Sequence, residues 1–390
     1  MKKISFLILF LLLSCKYNEI PEDEISLNDT YKVKYIEFST NTHLIIADGN
    51  SSADLFVSFY DKYHQPIESS NLAFEIYDNE NKLNFFPADT LKFKTIIEGE
   101  HNIKIKSNGL ESEIIQIIAR KDTYYEVVSL PVIFHIIHFG EDIGTGTNLS
   151  TNQVKSLLDK LNRAFSNLNN SINPNAVDIK LNFRMARYNI NNIILDEPGI
   201  NRIDGREYDV GSSTNTDIIG DNKLGPNEAW KMGGETFWDP NYYLNIWIFP
   251  SQSGSSTASL PKVYADFPIE GLNLISTSVE ANSQFYPSCF INTNSALNNT
   301  SIIHEVGHIL GLLHVFSIDE CETSDYCTDT FSYIYRAPEM ECGDNLGLKL
   351  NDNYMDYIGE KNTFTYEQRE RIRHMLNYGL WLDRLKFSQK

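Results

Sequence analysis

Along residues 31–121 the chain alternates apolar and polar positions in short runs. Lys34–Ser39, Ala53–Tyr60, Ala73–Tyr77, Phe93–Ile97, His101–Ser107 and Glu111–Ala119 each read as a strand with one face turned to a core. Turn formers separate them: Asp48-Gly49-Asn50, Asp78-Asn79-Glu80-Asn81 and Asn108-Gly109. Strands this short and this frequent predict a β-sandwich. The period then changes. Pro131–Phe139 is almost continuously apolar, which predicts a central strand covered on both faces. Val154, Leu157, Leu158, Leu161, Phe165 and Leu168 recur at helical spacing within Ser150–Leu168, with Ser150 or Thr151 as the N-cap. Asp178–Tyr188 and Tyr243–Phe249 read as further strands. Residues 199–240 are rich in Gly, Asn and Asp and show little period, so they read as a long loop-rich excursion. Thr365-Tyr366-Glu367-Gln368 is a capping box that opens a C-terminal helix running towards Leu385. Strands alternating with helices predict an α/β domain over residues 125–390.

The first residues follow neither grammar. Lys2 and Lys3 precede an apolar run from Ile4 to Leu13, which suits a signal h-region and is too short to span a bilayer. Leu12-Leu13-Ser14-Cys15 resembles the lipobox of bacterial lipoproteins. That resemblance implies removal of residues 1–14 and lipidation at Cys15. Lys16 rather than Asp follows the cysteine, which in Gram-negative lipoproteins resembles sorting to the outer membrane. Residues 15–30, with Glu19, Glu22, Asp23 and Glu24, read as an acidic linker, either a tether for surface export or simply a solvated charge run.

Composition narrows the partners. Asp and Glu total 52 against 33 Lys and Arg, a formal charge of −19, which argues against gripping nucleic-acid phosphates. Beyond Cys15 there are four cysteines: Cys289, Cys321, Cys327 and Cys342. An exported chain with four cysteines is expected to form two disulfides, in one of three pairings.

One stretch carries chemistry. In His304-Glu305-Val306-Gly307-His308-Ile309-Leu310-Gly311-Leu312-Leu313-His314, His304 and His308 lie four residues apart and share one helix face. Two imidazoles so placed grip one zinc ion, and Glu305 reaches a water beside it. Gly311 ends the helix and lets the chain return with His314 as third ligand. Three protein nitrogens leave a fourth position open, as catalytic zinc requires. His135 and His138 belong to the apolar strand and read as structural.

Downstream stands Asn353-Tyr354-Met355-Asp356-Tyr357. The zinc motif followed by this methionine turn resembles the metzincins. The Asn-Tyr-Met-Asp-Tyr turn, the strand Leu130–His138, Trp238-Asp239-Pro240 leading into Tyr243–Trp247, and Phe364-Thr365 with Gln368 narrow the resemblance to the pappalysin/cytophagalysin family over residues 127–380. It implies a zinc endopeptidase acting on protein or peptide substrates, with Met355 as floor beneath the metal and Tyr357 near the oxyanion. It also implies calcium near the loop after the third histidine, where Asp319, Glu320, Asp325, Asp329 and Thr330 offer oxygens. Many family members carry acidic residues after the methionine turn and favour basic substrates. Here the run is Ile358-Gly359-Glu360-Lys361, a departure that puts a basic preference in question. An extended substrate would pair with an edge strand around Ser259–Phe267.

Residues 47–67, with Ala47-Asp48-Gly49-Asn50, Val57–Asp61 and Gln65-Pro66-Ile67, resemble bacterial Ig-like domains of the invasin type. The expected architecture is therefore multi-domain: an N-terminal Ig-like sandwich over 31–121, then an α/β metzincin-type protease domain over 125–390. The rival reading is a non-enzymatic surface adhesin built on a protease scaffold. Glu305 beside all three histidines argues against it.

Overall fold

A computed structural model describes residues 33–68, 72–84, 91–121, 123–207, 226–251, 253–275, 288–321, 325–342 and 351–380. The signal and tether expected over residues 1–30, Cys15 included, lie outside the described residues.

The N-terminal region folds as two sheets over one core. Tyr35–Thr40 pairs antiparallel with Ala53–Tyr60, which also takes Pro66–Ile67 and Lys92–Phe93 as partners. The second sheet runs Leu44–Ile46, Ile115–Arg120, Gly99–Ser107, Glu75–Asp78, Asn81–Leu83, and its Leu44–Ile46 edge is parallel. Ile103, Ile105 and Ile117 alternate inward from the second sheet to meet Leu55 and Phe59 of the first. The expected strand Glu111–Ala119 divides into Leu110–Glu111 and Ile115–Arg120. Phe93–Ile97 contracts to Lys92–Phe93, and Ile96 and Ile97 are exposed rather than paired into the sheet.

Lys121 and residues 123–126 lie along the C-terminal helix Tyr366–Tyr378. Tyr366 donates its hydroxyl to the Lys121 carbonyl, and Arg120 pairs with Glu367. Arg369 and Arg373 lie over the Tyr125 ring.

The second region is built on a five-strand path of Leu181–Met185, Val128–His138, Leu244–Phe249, Cys289–Asn292 and Thr257–Ala258. The first four strands are parallel and the last is antiparallel. Val128–His138 is central and its interior is fully buried, as its continuous apolar run predicts. The helix Thr151–Phe165 starts at Ser150, whose capping box with Gln153 satisfies the exposed N–H groups. Val154, Leu157, Leu161 and Phe165 then cover the sheet. Residues 199–240 are less loop-like than their composition suggests. Ile200–Asp204 pairs in parallel with Phe134–His138, and Pro226–Thr236 is helical. Residues 208–225 are not described. Glycines and asparagines flanking these elements masked their period.

His135 is structural, as expected. It stacks on Trp247 and donates from Nε2 to Asn245 Oδ1 at 2.9 Å, while Asn201 donates to its Nδ1 at 3.0 Å. Complete burial pushes its pKa down to about 4. Asn245 also binds both backbone groups of Trp238, which explains the co-occurrence of the Trp238 and Asn245 segments in the sequence.

Candidate metal centre

The helix that carries the motif spans Ser301–Ile309. It is preceded by a separate short helix, Thr293–Asn298. Lys160 holds the break by donating to the carbonyls of Ala296 and Leu297. Ile302, Ile303, Val306 and Ile309 bury one face, so the helix is fixed within the core and not merely laid upon it.

Its polar face presents His304 and His308. Leu310 ends the helix and Gly311 takes φ +92°, a conformation open to glycine at little cost. The chain reverses there and returns His314. The three Nε2 atoms then form a triangle with every side 3.1 Å. His304 donates from Nδ1 to the Tyr354 carbonyl, and His308 from Nδ1 to the Leu312 carbonyl, each at 2.8 Å. With Nδ1 protonated, a neutral imidazole points its lone pair from Nε2. Burial favours that neutral state: it lowers the pKa of His304 and of His314 to about 3, and lowers that of His308. Lone pairs converging at this distance repel unless a cation sits among them. Tetrahedral zinc with nitrogen ligands needs a nitrogen–nitrogen separation of roughly 3.3 Å. The donor set therefore fits zinc.

Glu305 is buried beside the triad, and desolvation raises its pKa to about 8. Met355 is fully buried against the helix, and a Cβ on Gly307 would stand 2.5 Å from its Sδ. Gly307 is thus the residue that admits the methionine floor. Tyr357 stands at the rim, its ring 5.4 Å from that of His304 and 4.7 Å from that of His314.

Arg371 was not named from the sequence, and Asn353, Asp356 and Gln368 were named there only as parts of motifs, without a partner. Arg371 of the C-terminal helix donates to the Gly311 carbonyl at 2.5 Å and to the Glu270 carbonyl at 2.6 Å, pinning the turn that delivers His314. Asn353 and Gln368 exchange amide hydrogen bonds at 2.9 and 3.0 Å, joining the methionine turn to the helix cap. Asp356 accepts from the Tyr333 hydroxyl at 2.6 Å and from the Tyr357 and Ile358 amides. Asn353, Asp356 and Gln368 belong to the quoted motifs, whereas nothing in the sequence singled out Arg371.

Two expectations need correction, and the calcium candidates divide. Cys321 and Cys342 form a disulfide, but Cys289 and Cys327 are free and buried. Cys289 faces the main core from its strand, whereas Cys327 lies in a loop tied to the C-terminal helix through Thr328 and Glu367. Of the calcium candidates, Asp329 gathers with Cys327 and Glu367, their ligand atoms all within 4.8 Å of one another, whereas Asp319, Glu320 and Asp325 stand outside that group. Asp319 pairs with Arg336 on the surface and Glu320 is exposed. Asp325 binds the Cys327 amide and the Thr330 hydroxyl, while Asp329 binds Thr365 and the Glu367 amide. Burial raises both carboxyl pKa values to about 7. The edge strand is Thr257–Ala258 rather than Ser259–Phe267. Lys262–Tyr264 leaves the main sheet to pair with Asn273–Ile275.

A histidine triad closed by a glycine turn, with a buried glutamate beside it and a methionine floor below, defines a metzincin-type zinc site. The profile of the Peptidase M43 family, described as pregnancy-associated plasma protein-A, matches residues 231–377, so the chain carries an M43 metzincin domain. The chain is 25% identical over 153 residues to the uncharacterized protein R722 of Acanthamoeba polyphaga mimivirus. That match takes in 36% of this chain and spans only 17% of the relative's length. Among solved structures, mirolysin in complex with compound 9 has a TM-score of 0.48 at 20% identity, covering 67% of this chain and 96% of that one. Mature mirolysin of Tannerella forsythia in complex with a cleaved peptide also has a TM-score of 0.48, at 19% identity, covering 68% and 96%.

Proposed function

We propose that this protein is an exported zinc endopeptidase that hydrolyses peptide bonds of extracellular proteins. The carrying observation is the equilateral set of Nε2 lone pairs, 3.1 Å apart, beside buried Glu305. Zinc held by His304, His308 and His314 would supply a Lewis acid for the scissile carbonyl and lower the pKa of a water. Glu305 takes a proton from the attacking water and passes it to the leaving amine. The Tyr357 hydroxyl donates to the developing oxyanion. Thr257–Ala258, the last strand of its sheet among the described residues, offers its outer edge to an extended substrate.

Lipidation at Cys15, placement in the outer membrane, and an Ig-like spacer over residues 31–121 complete this reading. Two sheets around a single core support the spacer, and the tripartite N-terminus supports the anchor. Cleavage of casein or gelatin with and without a chelator, alongside zinc stoichiometry, tests the activity. Full cleavage in chelator, or none with zinc bound, would reject it. Membrane fractionation with a labelled fatty acid, comparing the parent with Cys15→Ala, tests the anchor. Identical behaviour without label would mean simple secretion.

A further inference from the structure

This inference rests on the peptidase reading and specifies its substrate class. Beside the imidazole triad stands a group of aromatic side chains. Phe316 stacks on His314, with ring centroids 4.7 Å apart and planes 10° from parallel. Tyr335 lies 5.0 Å from Phe316, and Tyr357 meets Phe316 at 4.8 Å and the Tyr335 edge at 5.6 Å. Phe316 is buried, yet Tyr335 is 37% exposed and Tyr357 is 51% exposed. Core rings are covered on every side, as Tyr333 and Tyr354 are. Rings backed by a buried Phe316 and bare on the outside, next to the reacting atoms, make a wall.

The wall is held in place. The Tyr335 amide donates to the Ser317 carbonyl at 2.8 Å, which lays residues 333–336 along the segment leaving His314. Tyr333–Ile334 and Ala337–Glu341 form an antiparallel hairpin, and the Cys342 amide closes it on the Ser332 carbonyl at 2.9 Å. The Cys321–Cys342 disulfide ties the foot of this hairpin to the Phe316 segment. Tyr335 therefore cannot drift away from Phe316 without moving covalently joined chain. Preorganised rings bind a substrate side chain with little loss of conformational entropy.

Charge favours one class of side chain. Lys361 donates to the Tyr357 carbonyl at 3.2 Å, which sets a cation at the rim. Asp319, on the segment after Phe316, is engaged by Arg336 at 2.6 Å. Asp356 is buried and turned to Tyr333 at 2.6 Å. An aromatic face can hold a cation, but Lys361 opposes the approach of one. We propose that Phe316, Tyr335 and Tyr357 form one wall of the substrate cleft, and that Tyr335 selects peptides with an aromatic or large apolar side chain beside the scissile bond.

The test is cleavage-site profiling of the zinc-loaded full chain on a proteome-derived peptide library, read by mass spectrometry. Phe, Tyr, Leu and Met should be enriched at one flanking position, and Lys and Arg depleted. Matched peptides with Phe or Ala there then give a ratio of kcat/KM values. Tyr335→Ala should reduce that ratio by about five- to tenfold, and Tyr335→Phe should preserve it. Enrichment of Lys or Arg, or a ratio unmoved by Tyr335→Ala, would overturn the proposal. A library left uncut would defeat the peptidase reading instead. Fluorescence titration of the same peptides onto zinc-loaded Glu305→Gln then judges the wall alone. Tighter binding of the Phe peptide, lost in Tyr335→Ala, upholds it; equal binding of both peptides overturns it.

Discussion

The two regions bury polar groups in different ways. In the N-terminal sandwich the buried polar side chains are few and satisfied nearby. His101 binds Asp78 at 2.6 Å, and Thr42 binds the Leu44 carbonyl and amide. Each binds groups of the sandwich itself. In the C-terminal region His304, Glu305, Asn353, Asp356, Gln368 and Arg371 are all buried, and they connect elements distant in sequence around one point. Burying a polar group costs free energy unless its bonds are replaced. The sandwich offsets that cost with bonds to close neighbours, whereas the metal centre offsets it with bonds between distant elements that fix its imidazoles in one geometry. Concentration of buried polarity thus separates the region that holds the histidine triad from the N-terminal one.

The contrast can be broken most severely at the triad. Simultaneous replacement of His304, His308 and His314 by alanine should reduce bound zinc from one equivalent to none by metal analysis. Full occupancy in that variant would remove the basis for the contrast. Next comes Glu305→Gln, which keeps zinc and fold but should lose turnover by about 10²–10⁴-fold, since an amide cannot accept the proton of the attacking water. Activity within tenfold of the parent, ~1.4 kcal/mol of barrier, would mean another base acts.

A smaller effect separates the regions by pH. Burial depresses the His135 pKa from 6.5 to about 4, so the folded state favours the neutral ring. The unfolded chain binds more protons between these values. The stability linked to His135 is therefore complete above its unfolded pKa and is lost as pH falls from 6.5 towards 4. Urea unfolding at pH 7.5 and pH 5 should show the parent losing more stability than His135→Asn. Equal losses would assign the pH response to other groups. Smallest is Ile103→Val in the sandwich core, expected to cost about 0.5–1.5 kcal/mol while zinc content and turnover stay unchanged. A drop in zinc content would show that the sandwich supports the metal site directly.

The ligands were legible because their chemistry is local. His304 and His308 share a helix face by spacing alone, Gly311 announces the reversal, and both capping boxes fall where Ser150 and Thr365 place them. The strand Val128–His138 declared its burial through an unbroken apolar run. The strand Ile200–Asp204 did not, because its partner lies more than sixty residues earlier and its surroundings are rich in turn formers. The cysteine count suggested two bridges, but a bridge needs two cysteines brought together, and among the described residues only Cys321 and Cys342 meet.

The sequence by itself determined the grouping of His304, His308 and His314 with Glu305 beside them, and the change from alternating strands to an α/β order. Each follows from residue type at short separation, where helix and strand periods fix direction. The tertiary structure alone decided that Arg371 pins the Gly311 turn, that Met355 requires Gly307, and that Tyr335 stands beside Tyr357. Those pairs are set by how separate elements pack, and packing depends on the shape of the whole core rather than on any local pattern.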